Sequence, residues 1–478
     1  MSKFFITNAI PYVNAKPHIG HALEFVQSDV IRRFHLLQGD ETVLLCGGDE
    51  NAIKNVQAAD RAGKPVQEFI DENTKLFSQL AEKLNVHFDF WQKASSKNHH
   101  ISSQKLWELC NKNGDIYKQT YTGLYCVGCE LFYEKEELDE NGECLEHPGK
   151  KLEEVSEENY FFKLSKYEKK LLELIESDDL KITPIGRKNE VVSFIKQGLK
   201  DISISRSNKR ARNWGVPVPD DDSQRMYVWF DALNIYQSGI GFGSEDESLY
   251  KKWWPADVHV IGKGITRFHA VYWPAFLLSA GLKTPKSILV HEYITVNGQK
   301  MSKTLGNVID PTILIDRYGT DALRYYCLAK ISPFADGDFS EEKLKDVYNA
   351  DLANGLGNLV ARVAKLCETN EVSISDIPHR VPNVSLKGGY IEYFERYEFN
   401  LALEELWKDI KDLDVAINTE KPWTLSKENA TPLLKILAYQ IKNIAHGIKP
   451  FLPDTAEKIL KQFKGPGIMA QSPLFPRL

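Results

Sequence analysis

The sequence predicts an α/β protein built on a parallel sheet, interrupted by a cysteine-bearing insertion and followed by an all-α helix bundle. Three observations carry that expectation. Short apolar runs alternate with amphipathic stretches near the amino terminus, the alternation resumes after residue 222, and from Asp346 onward apolar positions recur at helical spacing alone.

Each element follows from its residues. Residues 4–10 and 42–46 are short runs rich in β-branched and aromatic side chains, ended by turn formers, which predicts two strands. Between them, residues 19–37 carry helical spacing, and Val66, Phe69, Ile70, Phe77, Leu80 and Leu84 mark one apolar face of a further helix. Strand, helix, strand, helix implies parallel pairing covered by helices. Residues 115–222 break the pattern with clustered cysteines, the charged run Glu134-Lys135-Glu136-Glu137 and several Gly and Pro. They read as an insertion. Strands are then expected over 257–261 and 287–296, with a helix over 268–280 between them. Apolar stripes at 358–366, 401–417 and 433–448 predict the bundle. The expected organisation is 1–114 and 223–290 as the two halves of the sheet domain, 115–222 as a connective insertion, 291–345 as a linking region, and 346–478 as the bundle.

At 478 residues the chain exceeds one ordinary domain. A formal charge of −6 and a pI near 6.1 leave nucleic-acid binding open, because one basic face acts locally when fields are screened beyond about 10 Å. Asn8, Pro11 and Asn14 interrupt the first apolar run too early for a signal peptide or membrane span, so a cytoplasmic protein with no membrane partner is expected. Seven cysteines, odd in number and thinly spread, do not form a disulfide framework.

Two motifs carry the chemistry. Pro17-His18-Ile19-Gly20-His21 follows the first strand and opens the first helix, where α/β proteins bind anions. His18 and His21 share a helical face and can both donate to phosphate oxygens, while Gly20 leaves room for a base to approach. Taken alone, such a pair also fits two surface or capping histidines. Far downstream, Lys300-Met301-Ser302-Lys303-Thr304 follows the turn signal Asn297-Gly298. Two lysines on a loop are commonly a solvated patch, yet a closing loop with two ammonium groups can neutralise a triphosphate. The expectation is that both motifs meet one triphosphate, with Gly20 and Ser302 completing the nucleotide contacts.

Cys126-Val-Gly-Cys129 and Cys144-Leu-Glu-His147 form a Cys-x-x-Cys and Cys-x-x-His pair suited to one tetrahedral zinc. Four protein ligands close such a site, so its role is structural. The alternative is a set of buried thiols with Cys126 and Cys129 as a redox pair. Cys46, Cys110, Cys327 and Cys367 are expected in cores.

With both motifs in view, the sequence resembles the class I aminoacyl-tRNA synthetases, whose signatures are a His-Ile-Gly-His motif and a Lys-Met-Ser-Lys-Ser loop. Thr304 departs from the second but keeps its hydroxyl. Cytidylyltransferase-like enzymes share the first motif and lack the second and the bundle. The resemblance implies a Rossmann-type catalytic domain, ATP brought with Mg²⁺, and tRNA as partner. Residues 227–236 and 261–269, with Ala9-Ile10-Pro11-Tyr12, resemble the methionine-specific members. That likeness implies a thioether pocket of Ile10, Tyr12, Trp229, Ala232, Tyr236, Ile265 and His269, with Asp49 on the substrate ammonium. Polarizable sulfur favours aromatic walls, and weak donors on Tyr12 and His269 would disfavour leucine. Asn51-Ala52 stands where the family has His-Gly, Leu233 where Pro is common, and Gly264 where Asp is common. In the bundle, Asn358, Arg362 and Trp423 resemble the family's anticodon readers, Trp423 as a stacking platform.

The expected reaction is activation of L-methionine to methionyl-adenylate, then transfer to the terminal adenosine of tRNA. Cysteine enzymes use an active-site zinc, and the leucine, isoleucine and valine enzymes carry a far longer insertion. A tRNA-binding paralogue without catalysis would lack the intact motifs. Arg206, Lys209, Arg210 and Arg212 are a candidate tRNA or pyrophosphate contact, or a solvated turn. No carboxy-terminal tRNA-binding appendage is expected after the bundle.

Overall fold

The computed structural model describes all residues except 1, 127–130, 134, 146–148, 150, 302–305 and 374–388. The chain divides into two compact units. One contains residues 1–17, 39–79 and 87–291; the other contains 18–38, 80–86 and 292–478.

The first unit is built on a six-stranded, all-parallel sheet in the order Phe90–Lys93, Glu41–Gly48, Lys3–Asn8, Val258–Gly262, Ser287–His291, Lys181–Thr183. The central strands are mostly apolar on both faces and buried along most of their length, as a sheet covered on both sides requires. Strand order reverses between Lys3–Asn8 and Val258–Gly262, the position where open α/β sheets bind ligands outside their carboxyl ends. The helix Lys97–Lys112 starts where Ser96 Oγ accepts the His99 N–H at 3.3 Å. Its buried Trp107 packs edge-on against Phe230 and Tyr160, joining the main core to the insertion. There, Ile116–Cys126 and Glu153–Phe162 form a long antiparallel pair flanked by Leu131–Tyr133 and Ile202–Ser203.

The second unit holds the helix Ile19–Gln38, a small sheet in the order Gln299–Lys300, Ile294–Val296, Gly337–Phe339, and the helical region. The helices Asn358–Thr369, Phe399–Glu420 and Lys427–Ile448 bury the expected stripes. Phe34 of the first helix stacks on Phe394 at 3.9 Å between centroids. Beside it, the fully buried Arg324 pairs with Asp29 at 2.8 Å and donates to the carbonyls of Leu84, Pro450 and Phe451. A buried guanidinium is tolerated because its donors are met.

Three expectations change. The run 287–296 is not one strand: Ser287–His291 stays in the large sheet, while Ile294–Val296 joins the small one. Glu292 and Tyr293 leave the ladder because their N–H groups bond Pro333 O and Asp336 Oδ1 instead. The helix expected over 268–280 begins as a π-helical turn, Phe268–Tyr272. Pro274 has no N–H to offer the preceding turn, and the Ile265 carbonyl lies 3.0 Å from His269 Nδ1. Finally, the insertion contributes Lys181–Thr183 as an edge strand of the main sheet.

Candidate active site

In the second unit, the two signature motifs come together. The Ile19 N–H donates to Ile309 O at 3.1 Å, which ties the first helical turn to the chain just past the lysine loop. Met301 Cε lies 3.7 Å from where a β-carbon on Gly20 would sit. The loop leaves a hairpin whose turn, Asn297-Gly298, has positive φ at both residues, 52° and 74°. That is the backbone a two-residue turn needs, and Asn-Gly supplies it with little strain. Lys300 is exposed on the returning strand, 5.6 Å from the centre of the Tyr293 ring. Ser302 and Lys303 lie outside the described residues.

The histidines have defined tautomers. The Gly20 N–H donates to His18 Nδ1 at 3.1 Å, and the His18 N–H donates to His21 Nδ1 at 3.1 Å. A ring nitrogen that accepts carries no proton, so both neutral rings carry it on Nε2. The rings lie 3.9 Å apart. Burial, with His18 beside it, holds His21 well below the usual imidazole range. His21 is therefore a neutral donor, not a cation, near pH 7.

The methionine candidates lie in the first unit: Ile10 and Tyr12 follow the strand Lys3–Asn8, Ile265 and His269 follow Val258–Gly262, and Trp229, Ala232 and Tyr236 lie on the short helices Val228–Ala232 and Ile235–Ser238. Ile10, Tyr12 and Ile265 are half-buried against the core, and Ala232, Trp229, Tyr236 and His269 are buried. Trp229 stacks on Phe268 at 3.8 Å and meets Tyr12 edge-on at 6.3 Å. Asp49 is buried one residue past the strand Glu41–Gly48, where its N–H donates to Pro11 O at 2.9 Å. Lys54 Nζ lies over the Tyr12 ring.

The expected donor role of His269 changes. His269 Nδ1 is 3.0 Å from Ile265 O, which can only accept, so Nδ1 carries the proton. Nε2 must then accept the Tyr236 hydroxyl at 2.7 Å. Both ring nitrogens are committed. Burial pushes the imidazole down to about 4, so it stays neutral. One donor was missed: the buried Trp229 Nε1–H has no acceptor among the described residues.

Asn51, where the family has His, donates to Ala94 O at 2.9 Å and to Asp231 Oδ2. It ties the turn after Asp49 to the short helix Val228–Ala232, which carries Trp229. Glu50 is fully buried, held by Thr74 and Ser95, and burial raises its carboxyl above the usual range. Neither role shows in sequence spacing.

Comparison with known proteins matches residues 4–364 to a family model described as tRNA synthetases class I (M), and 385–477 to an anticodon-binding domain of tRNA ligase. A methionine–tRNA ligase of Thermotoga maritima is 40% identical, covering 96% of this chain and 75% of that one. One from Brucella suis is 38% identical over 99% and 98%. The chain belongs to the methionyl-tRNA synthetases.

It is thus an ATP-dependent ligase that activates methionine and charges tRNA with it. The Mycobacterium tuberculosis methionyl-tRNA synthetase in complex with methionyl-adenylate superposes with a TM-score of 0.92, at 35% identity and full coverage of both chains. The free form of that enzyme gives 0.84 at 32% identity, covering 100% of this chain and 98% of that one.

Two further sets of this synthetase's candidates can be placed. Cys126 and Cys144 are buried with sulfurs 3.2 Å apart. That is too far for a bond of about 2.05 Å and somewhat inside the ~3.8 Å edge that tetrahedral zinc with ~2.3 Å Zn–S bonds would set. Two convergent thiols fit a zinc donor set; Cys129 and His147 lie outside the described residues. In the bundle, Trp423 is 52% exposed on a short turn after Lys421, which excludes a core role. Arg362 lies 5.9 Å from its ring centre, anchored to Asp414 and Asn418, and Asn358 is exposed one turn earlier. Of the basic cluster, Arg212 pairs with Asp60, and Arg210 pairs with Glu157 at 3.0 Å.

Proposed function

We propose that His18, His21, Lys300 and Lys303 form the catalytic phosphate grip for adenylation, with Gly20 and Ser302 completing the ATP contacts. The observation that supports this is the approach of Met301, next in sequence to Lys300, to within 3.7 Å of where a β-carbon on Gly20 would sit. The methionine carboxylate oxygen attacks the α-phosphorus in line, and the bond to the bridging oxygen breaks as pyrophosphate leaves. The two Nε2–H donors and the ammonium groups stabilise charge on the phosphate oxygens, with no protein nucleophile required. Mg²⁺ arrives with ATP and shares that charge neutralisation. A ribose hydroxyl of the tRNA's terminal adenosine then attacks the acyl carbon, and AMP leaves.

Ile10, Tyr12, Asp49, Trp229, Ala232, Tyr236, Ile265 and His269 hold methionine: Asp49 pairs with the ammonium, and the aromatic walls take the thioether. Cys126, Cys129, Cys144 and His147 hold one structural zinc in a connective insertion spanning 115–222, within a catalytic domain formed by 1–114 and 223–290. Residues 291–345 carry the lysine loop, and 346–478 read the anticodon through Asn358, Arg362 and Trp423. Among the described residues no helix is long and apolar enough to cross a membrane; the proposed place of work is the cytoplasm, where tRNA is charged.

ATP–pyrophosphate exchange measured with each of the twenty amino acids tests the adenylation reading. Exchange with methionine alone is expected, and its loss in His21→Ala and Lys300→Ala. Exchange with cysteine in place of methionine would overturn the specificity, and full activity in both variants would overturn the grip.

A further inference from the structure

The methionine candidates Trp229, Ala232 and Tyr236 sit on two helical segments of only five and four residues, Val228–Ala232 and Ile235–Ser238. Isolated helices shorter than about 12 residues are marginal in water, so the placement of these two comes from what they pack against. That partner is the sixteen-residue helix Lys97–Lys112. One contact is apolar, Trp107 against Phe230 at 5.3 Å between centroids. Apolar contact is non-directional and leaves the rotation of a short helix loosely defined. Hydrogen bonds are directional, and a set of them lies beside it.

Between the three helices, His99, Ser103 and Asn234 are fully buried, and Asp231 and Ser238 nearly so. Chemistry fixes the proton positions. The Asn234 amide nitrogen donates to Ser103 Oγ at 3.3 Å, and the Ser103 hydroxyl gives its own proton to His99 Nε2 at 3.2 Å. A ring nitrogen that accepts carries no proton, so the ring proton sits on Nδ1 and is donated to Ser238 Oγ at 2.8 Å. Ser238 in turn donates to the Ile235 carbonyl at 3.3 Å. His99 Nε2 also lies 3.7 Å from Asp231 Oδ2, the oxygen that accepts the Asn51 amide.

One imidazole therefore reaches both short helices, through Asp231 on the first and Ser238 on the second. Asp231 stands two residues after Trp229, and Ser238 two after Tyr236. At 3.6 residues per turn, positions two apart point about 200° away from each other. His99 thus holds the back of each helix, and the side chains proposed for methionine leave from the front. His99 is itself held, because its N–H bonds the capping Ser96 Oγ in the first turn of its helix.

We propose that His99 is a positioning residue for methionine recognition: it clamps the backs of both short helices, so that Trp229 and Tyr236 meet the substrate at a fixed rotation. The proposal rests on the reading of these two as methionine-binding residues. Failure of that reading would appear separately, as a methionine KM unmoved by Trp229→Ala.

His99→Ala, His99→Asn, Ser238→Ala and the double variant of His99→Ala with Asn51→Ala test it in the full chain. Methionine and ATP KM are measured by ATP–pyrophosphate exchange, and the active fraction by the burst of adenylate formed per chain. His99→Ala should raise the methionine KM about tenfold, the scale of one buried hydrogen bond lost, and leave the ATP KM unchanged. His99→Asn, whose amide nitrogen can replace Nδ1 as donor to Ser238, should recover most of that loss. Ser238→Ala cuts the same link with a smaller change of volume and should move the methionine KM in the same direction, even if His99→Ala folds poorly. Since His99 and Asn51 both act on Asp231, the double variant should lose less than the product of the two single effects. A methionine KM unmoved in His99→Ala and Ser238→Ala, with only the Tm or the active fraction lowered, makes His99 an ordinary core residue and overturns the proposal. An equal rise in the ATP KM, or single effects that multiply in full, overturns it as well.

Discussion

Gly20→Ala tests the phosphate grip through its tightest contact. A β-carbon at position 20 would meet His18 Cε1 at 2.9 Å and Nδ1 at 3.0 Å. Carbon contacts settle at about 3.5–4.0 Å, so the ring must retreat by roughly 0.6–1 Å. The backbone has little freedom to yield, since the Ile19 N–H is bonded to Ile309 O and the Gly20 N–H to His18 Nδ1. Moving the ring stretches the bond that keeps the His18 proton on Nε2. A 1 Å misplacement of a catalytic group costs about a hundredfold in rate, or about 2.7 kcal/mol of barrier.

Helix propensity runs the other way, because replacing Gly by Ala inside a helix stabilises it by up to about 1 kcal/mol. The expected result is therefore an exchange kcat down by about two orders of magnitude, an unchanged KM for methionine, and a Tm no lower than the parent's. A kcat within threefold of the parent would refute the argument, since the imidazole geometry would then be shown not to matter. A fall in Tm would refute it differently, by showing that the added methyl is absorbed by the backbone.

Three further outcomes follow from the same geometry. Tyr236→Phe leaves buried His269 Nε2 without its donor, at a cost of about 1–3 kcal/mol, so the methionine KM should rise about tenfold while the ATP KM holds; an unchanged methionine KM counts against the pairing. His269 sits near pKa 4 in the folded state against about 6.5 unfolded, so only the unfolded chain gains a proton between those values. Stability should be insensitive to this group above pH 6.5 and fall by about 3 kcal/mol toward pH 4, and denaturant unfolding should show a shallower loss in His269→Gln; equal slopes would contradict it. Elemental analysis should find one zinc per chain, removed by a strong chelator or by Cys144→Ser with a lowered Tm, and a metal-free preparation with unaltered Tm would exclude the structural zinc.

Legibility in the sequence followed the strength of local signals. The central strands were readable because burial on both faces makes them continuous apolar runs closed by turn residues, as in Thr42–Cys46 within Glu41–Gly48. The turn before the lysines was readable because Asn-Gly specifies its own backbone, whereas the two-residue returning strand Gln299–Lys300 was not expected. Lys181–Thr183 was not, because it has three residues and one buried side chain, Ile182, and its strand character comes wholly from its neighbour Ser287–His291. The break at Glu292 depends on acceptors more than forty residues away, beyond any local pattern. The Arg324 cluster is the same case, since nothing near Arg324 announces three distant carbonyls. At the candidate site, residue types were readable but hydrogen-bond direction was not. The family resemblance proposes His269 for the pocket; only the Ile265 carbonyl and the Tyr236 hydroxyl show that its donor is already used.

That commitment shifts the argument about substrate choice. With His269 saturated, it can shape the pocket but cannot report on sulfur. Trp229 is the buried donor in the proposed methionine set with no acceptor among the described residues. A buried N–H left unmet costs about 1–3 kcal/mol, and a thioether is a weak acceptor where a hydrocarbon branch is none. If the indole N–H meets the sulfur, leucine forfeits that contact and should be activated roughly 5- to 150-fold less well on this account alone. Asn51 bears on the same residue through Asp231, because it pins the short helix from which Trp229 projects. Asn51→Ala should then narrow the methionine-to-leucine ratio of kcat/KM in exchange while Trp229→Phe narrows it further. A ratio unmoved in Trp229→Phe would return discrimination to pocket shape, with Ile10, Ala232 and Ile265 as its determinants.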